Sequence, residues 1–479
     1  MKKLALVFLL LAACDQSPAL LTDEDAGSDA GMVPDAIEID VANDAGATIT
    51  GITMSPLALV PPFSPDTHDY YVRCASGDNT GTLDVSLSDG SSSQSAYDVV
   101  EDQAVVVGNT YWIRCLPHDF PVIGVTKNGT PTPGYYLVNA TSYAVVLDTN
   151  GTPVWYTRGL LVLNVDSQAT NTITLEPNAT APYGFDPETR FDVHALDTTQ
   201  LSYVAASNAA TDGHELRVLP NGDFLLVTFP IETGVDLSGL GAYGQSENMA
   251  DCQVQEVDAQ GNLVWSWLAS DHVDPVHESV EQAVNTILGK SVIDVFHCNA
   301  IDVGPNNDLL VSSRHANALF DIDRTSGKIL WKLGGTAYNK DGAELITPDD
   351  AFNMQHDARF TATGHVTLFD DHGANPGVGV GVARGAEYSI DHGSHTATLV
   401  FHYDGVAQAQ YEGSFRRYPD GHAVIGWGFI TNQKRVFTEI DEANNDVLDV
   451  TFSDVPSYRA VKVPLTQLDI GLLRATAGQ

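Results

Sequence analysis

Short apolar runs, many alternating with polar positions, recur from about residue 121 to residue 479. They are separated by pairs that tolerate positive φ: Asn150-Gly151, Asn221-Gly222, Gln260-Gly261, Asn306-Asn307, Ser326-Gly327, Thr363-Gly364 and Asp420-Gly421. Turn pairs at such regular intervals predict hairpins. A second pattern interleaves with the first and runs from an Asp through a Gly and apolar residues to a Trp, at Asp148 to Trp155, Asp258 to Trp265 and Asp323 to Trp331. Each copy predicts one hairpin with its tryptophan packed between sheets. Only Glu278 to Leu288 reads as a helix, as an insertion.

One hairpin pattern carries histidine. In FHCNAIDVGPNNDLLVSSRH (296–315), DGHELRVLPNGDFLLV (212–227) and MQHDARFTATGHVTLFD (354–370), a histidine precedes a turn and then an apolar strand. A fourth copy, EGSFRRYPDGHAVIGW (412–427), has Ser414 where the histidine would stand. His297 to His356 and His356 to Ser414 are each just under sixty residues apart. Equivalent supersecondary units that each offer one residue at the same depth indicate a repeat architecture. Some 360 residues at this spacing give about six units. The expected fold class is therefore all-β: a six-bladed β-propeller over 121–479 in which His214, His297 and His356 face a central channel.

The N-terminal part differs. Lys2 and Lys3 precede the apolar run Leu4 to Leu11, which has the form of a secretory signal and is too short for a transmembrane helix. Its end, Leu11-Ala12-Ala13-Cys14, resembles the bacterial lipobox, which implies removal of residues 1–13 and lipidation of Cys14. Residues 14–47 are rich in Asp, Ala and Gly and lack Lys and Arg, as expected of a disordered acidic tether. Residues 48–120, opening ITGITMSPLALVPPFSPDTHDYYVRC, resemble cadherin-like β-sandwich modules. This small domain reads as a spacer, docking or dimerisation unit, which leaves a homodimer open. The localisation expected is that of an exported bacterial lipoprotein, on a periplasm-facing membrane or the cell surface.

The formal net charge is −39, from 23 basic and 62 acidic residues, which excludes nucleic acid as a partner. Beyond Cys14 the cysteines are Cys74, Cys115, Cys252 and Cys298. An exported chain with this even remainder suggests two disulfides, one within each region, although three connectivities are formally open.

The residues that carry chemistry are His214, His297, Arg314 and His356. Arg314 ends the strand LLVSSR and returns to the level of His297, while the neighbouring His315 is expected to point to the opposite face. A guanidinium with several imidazoles suits a tetrahedral oxyanion such as sulfate or phosphate. One imidazole can instead attack while the others neutralise developing charge. No Gly-rich phosphate loop is present, so neither a nucleotide donor nor a cofactor is expected. The other histidines read as packed, solvated or turn residues.

These motifs, with the first histidine, HxN, SSRH and the later QH in order, resemble the bacterial arylsulfate sulfotransferases, as does GYYLVNATSYAVVLDTNGTPVWY (134–156). That family implies a six-bladed propeller with an N-terminal β-sandwich, and nucleotide-independent ping-pong transfer from an aryl sulfate donor to a phenolic acceptor. Carried over by motif, His356 is the nucleophile that becomes sulfohistidine. His297 and Arg314 bind the sulfuryl oxygens, His214 protonates the leaving phenolate or shares that binding, and Asn299 assists nearby. Two other classes stay open: a metal-dependent hydrolase or lyase using three axial histidines, which Arg314 disfavours, and a non-catalytic surface-binding propeller. A quinoprotein-like reading of DRTSGKILW has too few copies to stand.

Overall fold

A computed structural model describes residues 36–39, 47–373, 381–430, 434–453 and 456–479. The expected signal 1–13, the expected lipidation site Cys14 and most of the tether lie outside the described residues. The fold is all-β, and among the described residues the α-helices are the short Ala269–His272 and Ile470–Thr476. Among the described residues no helix is long and apolar enough to cross a membrane.

Two sheets form the N-terminal part. One pairs Ile37–Ile39, Ala104–Val107, Tyr111–Leu116 and Asp69–Arg73 in that order, and the other pairs Ile49–Ser55, Asn79–Leu87 and Ser92–Val99. They share a core that includes Ile52, Val72, Leu83, Val85, Tyr97, Val105 and Ile113, and a Cys74–Cys115 disulfide joins two strand ends. Ile37–Ile39 lies within the stretch expected to be a tether, yet it pairs in parallel with Val105–Val107. Its two isoleucines flank a glutamate, and that local alternation suits an edge strand better than the polar composition around it suggests.

From Ile123 onward the chain builds sheet after sheet of antiparallel strands. Leu163–Asp166, Thr211–Val218, Cys298–Val303, His356–Phe360 and Ser414–Arg417 each begin a sheet, and each contacts the next in this order. The last strand, Ala460–Val463, contacts Ser414–Arg417 on one side and Leu163–Asp166 on the other. It also pairs antiparallel with Tyr135–Ala140, so strands from opposite ends of this region share one sheet. The first strands thus form a closed cycle that brings equivalent positions of distant segments together.

The helix expected at Glu278 to Leu288 is not formed. Ala283–Ile287 is a strand, hairpinned onto Lys290–Asp294 through Leu288 and Gly289, both at positive φ. The β-branched Val284, Thr286 and Ile287 prefer this hairpin to a helix. With Ile231–Val235 and Glu247–Ala250 it makes a four-stranded sheet inserted between the repeats, which accounts for the long spacing from His214 to His297.

Ion pairs fill the centre of the cycle. Arg459 is buried and reaches Glu215 at 3.2 Å, Asp357 at 3.4 Å and the Asn299 carbonyl at 2.8 Å. Arg359 bonds Glu215 and Asp357, each at 2.7 Å, and Arg416 reaches Asp357 at 3.0 Å. Guanidiniums suit this position because each can satisfy several carboxylates at fixed angles. The fourth repeat's Ser414 is used here. Its hydroxyl donates to the Ala460 carbonyl and accepts from the Ala460 amide, stitching the closing strand to its neighbour.

Candidate active site

His214, His297 and His356 sit where three of these first strands begin, and each turns Nδ1 toward an aspartate. The contacts are His214 to Asp212 at 2.6 Å, His297 to Asp294 at 2.6 Å and His356 to Asp371 at 3.3 Å. A carboxylate on Nδ1 favours the tautomer that leaves Nε2 with its lone pair. The His214 and His297 rings meet edge to face with centroids 4.9 Å apart, and Phe229 stacks on His297 at 5.8 Å. His297 holds φ at +49°, an uncommon conformation for a non-glycine residue and one enriched at functional sites.

His356 is fully buried, and its Nε2 accepts a hydrogen bond from the Glu412 amide at 3.3 Å. An amide can only donate there, so Nε2 carries no hydrogen and the ring hydrogen is on Nδ1. Burial, then the charges of Arg314, His214 and His297, hold the His356 pKa well below the usual imidazole value. The ring is therefore neutral at neutral pH. Burial lowers His297 to about 4 despite the pull of Asp294. Burial opposes the Asp294 carboxylate as well, but the charges and hydrogen bonds of His297 and His315 outweigh it and hold its pKa far down.

Arg314 is not the last strand residue. The strand stops at Ser313, and Arg314 opens a 3-10 turn ending at Ala316. In this turn its Nη2 donates to the Gln410 carbonyl at 3.1 Å and Nη1 to Glu281 at 3.4 Å, while the buried Nε has no hydrogen-bond partner. The turn also corrects the expectation for His315. Instead of facing away, its ring stacks on His297 at 4.8 Å and its Nδ1 lies 3.1 Å from the Asp294 carbonyl. Strand alternation no longer applies once the backbone turns.

Asn299 lies one strand turn from His297 and is fully buried. Its amide donates to the Gln355 carbonyl at 2.8 Å and its Oδ1 has no hydrogen-bond partner. It ties the strand carrying His297 to the residue before His356. The residues that sequence reasoning passed over are Asp212, Asp294, Asp371, Glu412 and Tyr458. Tyr458 donates to the His214 carbonyl at 3.2 Å, with its ring 5.9 Å from that histidine. The aspartates were visible in DGH, DVFH and FDDHG, within or beside the motifs that drew attention to the histidines.

Among the described residues, the group with metal-ligand spacing is Asp294, His297 and His315, not the trio His214, His297 and His356. Asp294 already accepts from the His297 ring, so these donors serve each other. A neutral imidazole, a guanidinium Nε without a hydrogen-bond partner among the described residues and nearby aromatic rings are groups that suit a planar aryl group carrying a tetrahedral anion. A model of the arylsulfotransferase (ASST) family matches residues 192–453, a span that contains all four of these residues.

The chain belongs to the arylsulfotransferase family. Membership implies a sulfotransferase that acts on aryl sulfates and phenols. No curated protein matches the chain. Similar solved structures include a protein of unknown function from Bacteroides caccae, with 12% identity, 69% of this chain and 99% of that one covered, and a TM-score of 0.41. The periplasmic gluconolactonase of Pseudomonas aeruginosa is 11% identical over 69% of this chain and 99% of its own, with a TM-score of 0.39. Virginiamycin B lyase from Staphylococcus aureus is 9% identical over 73% and 90%, with a TM-score of 0.35. Of these comparisons, the family match bears on the chemistry. The disulfides pair within each region, Cys74 with Cys115 and Cys252 with Cys298, and the second begins the strand that follows His297.

Proposed function

We propose that this arylsulfotransferase moves a sulfuryl group from an aryl sulfate to a phenol, without a nucleotide donor, in two displacements through a sulfohistidine at His356. The observation that carries this reading is the Nε2 of His356: buried, unprotonated, and under the direct influence of Arg314. A neutral imidazole nitrogen is a good nucleophile, and a fixed guanidinium offsets charge on the sulfuryl oxygens. In the first displacement the Nε2 lone pair forms an N–S bond as the S–O bond to the aryl oxygen breaks. Arg314 and His297 bind the sulfuryl oxygens, and His214 shares that cradle. Asn299 positions the strand beneath them. In the second displacement a phenol oxygen takes the group and the imidazole is regenerated.

The closed cycle of first strands supports reading this region as a six-bladed propeller, with the two N-terminal sheets as a β-sandwich. Cys14 is read as the point of lipid attachment of an exported protein, which labelling with a radioactive fatty acid and its loss in Cys14→Ser would test.

The mechanism is tested by peptide mass spectrometry after mixing the protein with 4-nitrophenyl sulfate. One SO3 on the peptide containing His356, absent in His356→Ala and removed by added phenol, is the expected result. Folded protein that shows neither adduct nor phenolate release overturns it.

A further inference from the structure

The segment that enters the strand Ser414–Arg417 runs against His356 and Arg314, and it carries Glu412. Glu412 holds φ at +73° and is followed by Gly413 at +108°. Gly428 faces this backbone so closely that a Cβ there would lie 2.6 Å from the Glu412 carbonyl carbon. A left-handed non-glycine residue persists only where its surroundings enforce it. Here the enforced geometry puts the Glu412 amide on Nε2 of His356, while two residues earlier the Gln410 carbonyl accepts from Arg314. The strap therefore touches both the attacking nitrogen and the guanidinium.

Its carboxylate is the unusual part. Among the described residues nothing forms a hydrogen bond or ion pair with it, although the residue is only partly exposed. A carboxyl with no cation beside it and reduced access to water shifts toward keeping its proton. Burial pushes Glu412 up to about 8. Its charge acts on Tyr183 and Tyr411, and Tyr411 stacks on Phe429 at 4.9 Å, so the carboxyl borders an aromatic wall. His214 and His297 each already turn Nδ1 to an aspartate. His297 is neutral at neutral pH and its ring hydrogen is taken by Asp294.

We propose that Glu412 is the acid and base for the aryl oxygens, giving its proton to the departing aryl oxide and recovering one from the acceptor phenol. The proposal rests on His356 being the nucleophile. In the first displacement the S–O electron pair stays on the aryl oxygen, which takes the Glu412 proton and leaves as a phenol. The carboxylate that remains is the form the second displacement needs. The acceptor O–H passes its proton to it as the new O–S bond forms and the N–S pair returns to Nε2. The proton is kept on the protein between the two halves, and no outside acid or base enters the balance. A group with a pKa near the working pH is best suited to both tasks.

The test uses the full-length protein in detergent, as wild type, Glu412→Gln and Glu412→Asp, each checked for a cooperative thermal transition. Single-turnover phenol release is followed with 4-nitrophenyl sulfate, whose leaving group needs little protonation, and with phenyl sulfate, whose leaving group needs much. Glu412→Gln is expected to slow the phenyl sulfate reaction by about 100-fold or more, while the nitrophenyl reaction changes far less. The wild-type phenyl sulfate rate should fall above about pH 8, where the acid is lost. This limb should vanish in Glu412→Gln and return in part in Glu412→Asp. Equal losses with both donors, or a pH limb that survives in Glu412→Gln, overturn the proposal and leave Glu412 as a support for the strap. Failure of the wild type to form the His356 adduct instead overturns the parent mechanism, and the two failures are distinct because that one appears without any substitution at 412.

Discussion

Asp371 lies against Nδ1 of His356, with its carboxylate oxygens 3.3 and 3.2 Å away. The same side chain is fully buried, and burial, then the neighbouring Asp370, Glu412 and Glu281, push its pKa well up against the opposing pull of Arg314. In the proposed mechanism the aspartate orients the ring and keeps its hydrogen on Nδ1. Replacing it with asparagine keeps the shape but offers an amide that can donate to Nδ1 and place the hydrogen on Nε2. Asp371→Asn is expected to slow formation of the His356 adduct by about 10²-fold or more, with a nearly unchanged melting temperature. Rapid-quench mass spectrometry measures the rate.

Arg314 offers a buried Nε with no hydrogen-bond partner among the described residues, while its other nitrogens meet the Gln410 carbonyl and Glu281. Lysine keeps the charge but loses the planar fork that, in the proposed mechanism, binds the sulfuryl oxygens. Arg314→Lys is therefore expected to lower kcat/KM by roughly 10- to 100-fold, the equivalent of one hydrogen bond to a charged group. Steady-state kinetics with 4-nitrophenyl sulfate give the number.

Arg459 stands at the other end of the argument, as structure without chemistry. It neutralises Glu215 and Asp357 at the centre of the closed cycle, and all three are buried. Removing one partner from such a network strands buried charge and costs about 3–5 kcal/mol. Arg459→Met should lower the unfolding free energy by that amount, and chemical denaturation checks it.

His194 supplies a pH signature. Burial alone lowers it to about 4, its Nε2 has no hydrogen-bond partner, and Trp155 packs edge-on at 5.6 Å. The unfolded chain binds this proton near pH 6.5 and the folded chain only near 4, so stability falls as pH drops through that window. Between pH 7 and pH 5 the loss from this residue is about 2 kcal/mol. His194→Phe should flatten the dependence of unfolding free energy over that range.

The hairpins were legible in the chain because turn chemistry is local: Asn150-Gly151 or Asp420-Gly421 needs no distant partner to favour a tight reversal. The repeat spacing likewise carried the equivalence of His214, His297 and His356, since equal units place equal positions at equal depth. Local pattern failed where a neighbour outweighed it. Ala283–Ile287 became a strand by pairing with Lys290–Asp294, and Ile37–Ile39 was captured by Val105–Val107. His315 turned inward because the strand ended one residue before Arg314. Sequence alone could name the imidazoles and the guanidinium, for their chemistry is intrinsic to the residue type. It could not say which nitrogen of His356 is free, because that depends on Asp371 and on the amide of Glu412, 56 residues away along the chain. The burial that lowers the His356 pKa and raises that of Glu412 also exists only once the strands have closed around the site, since the low dielectric behind both shifts belongs to the assembled fold and to no segment of it.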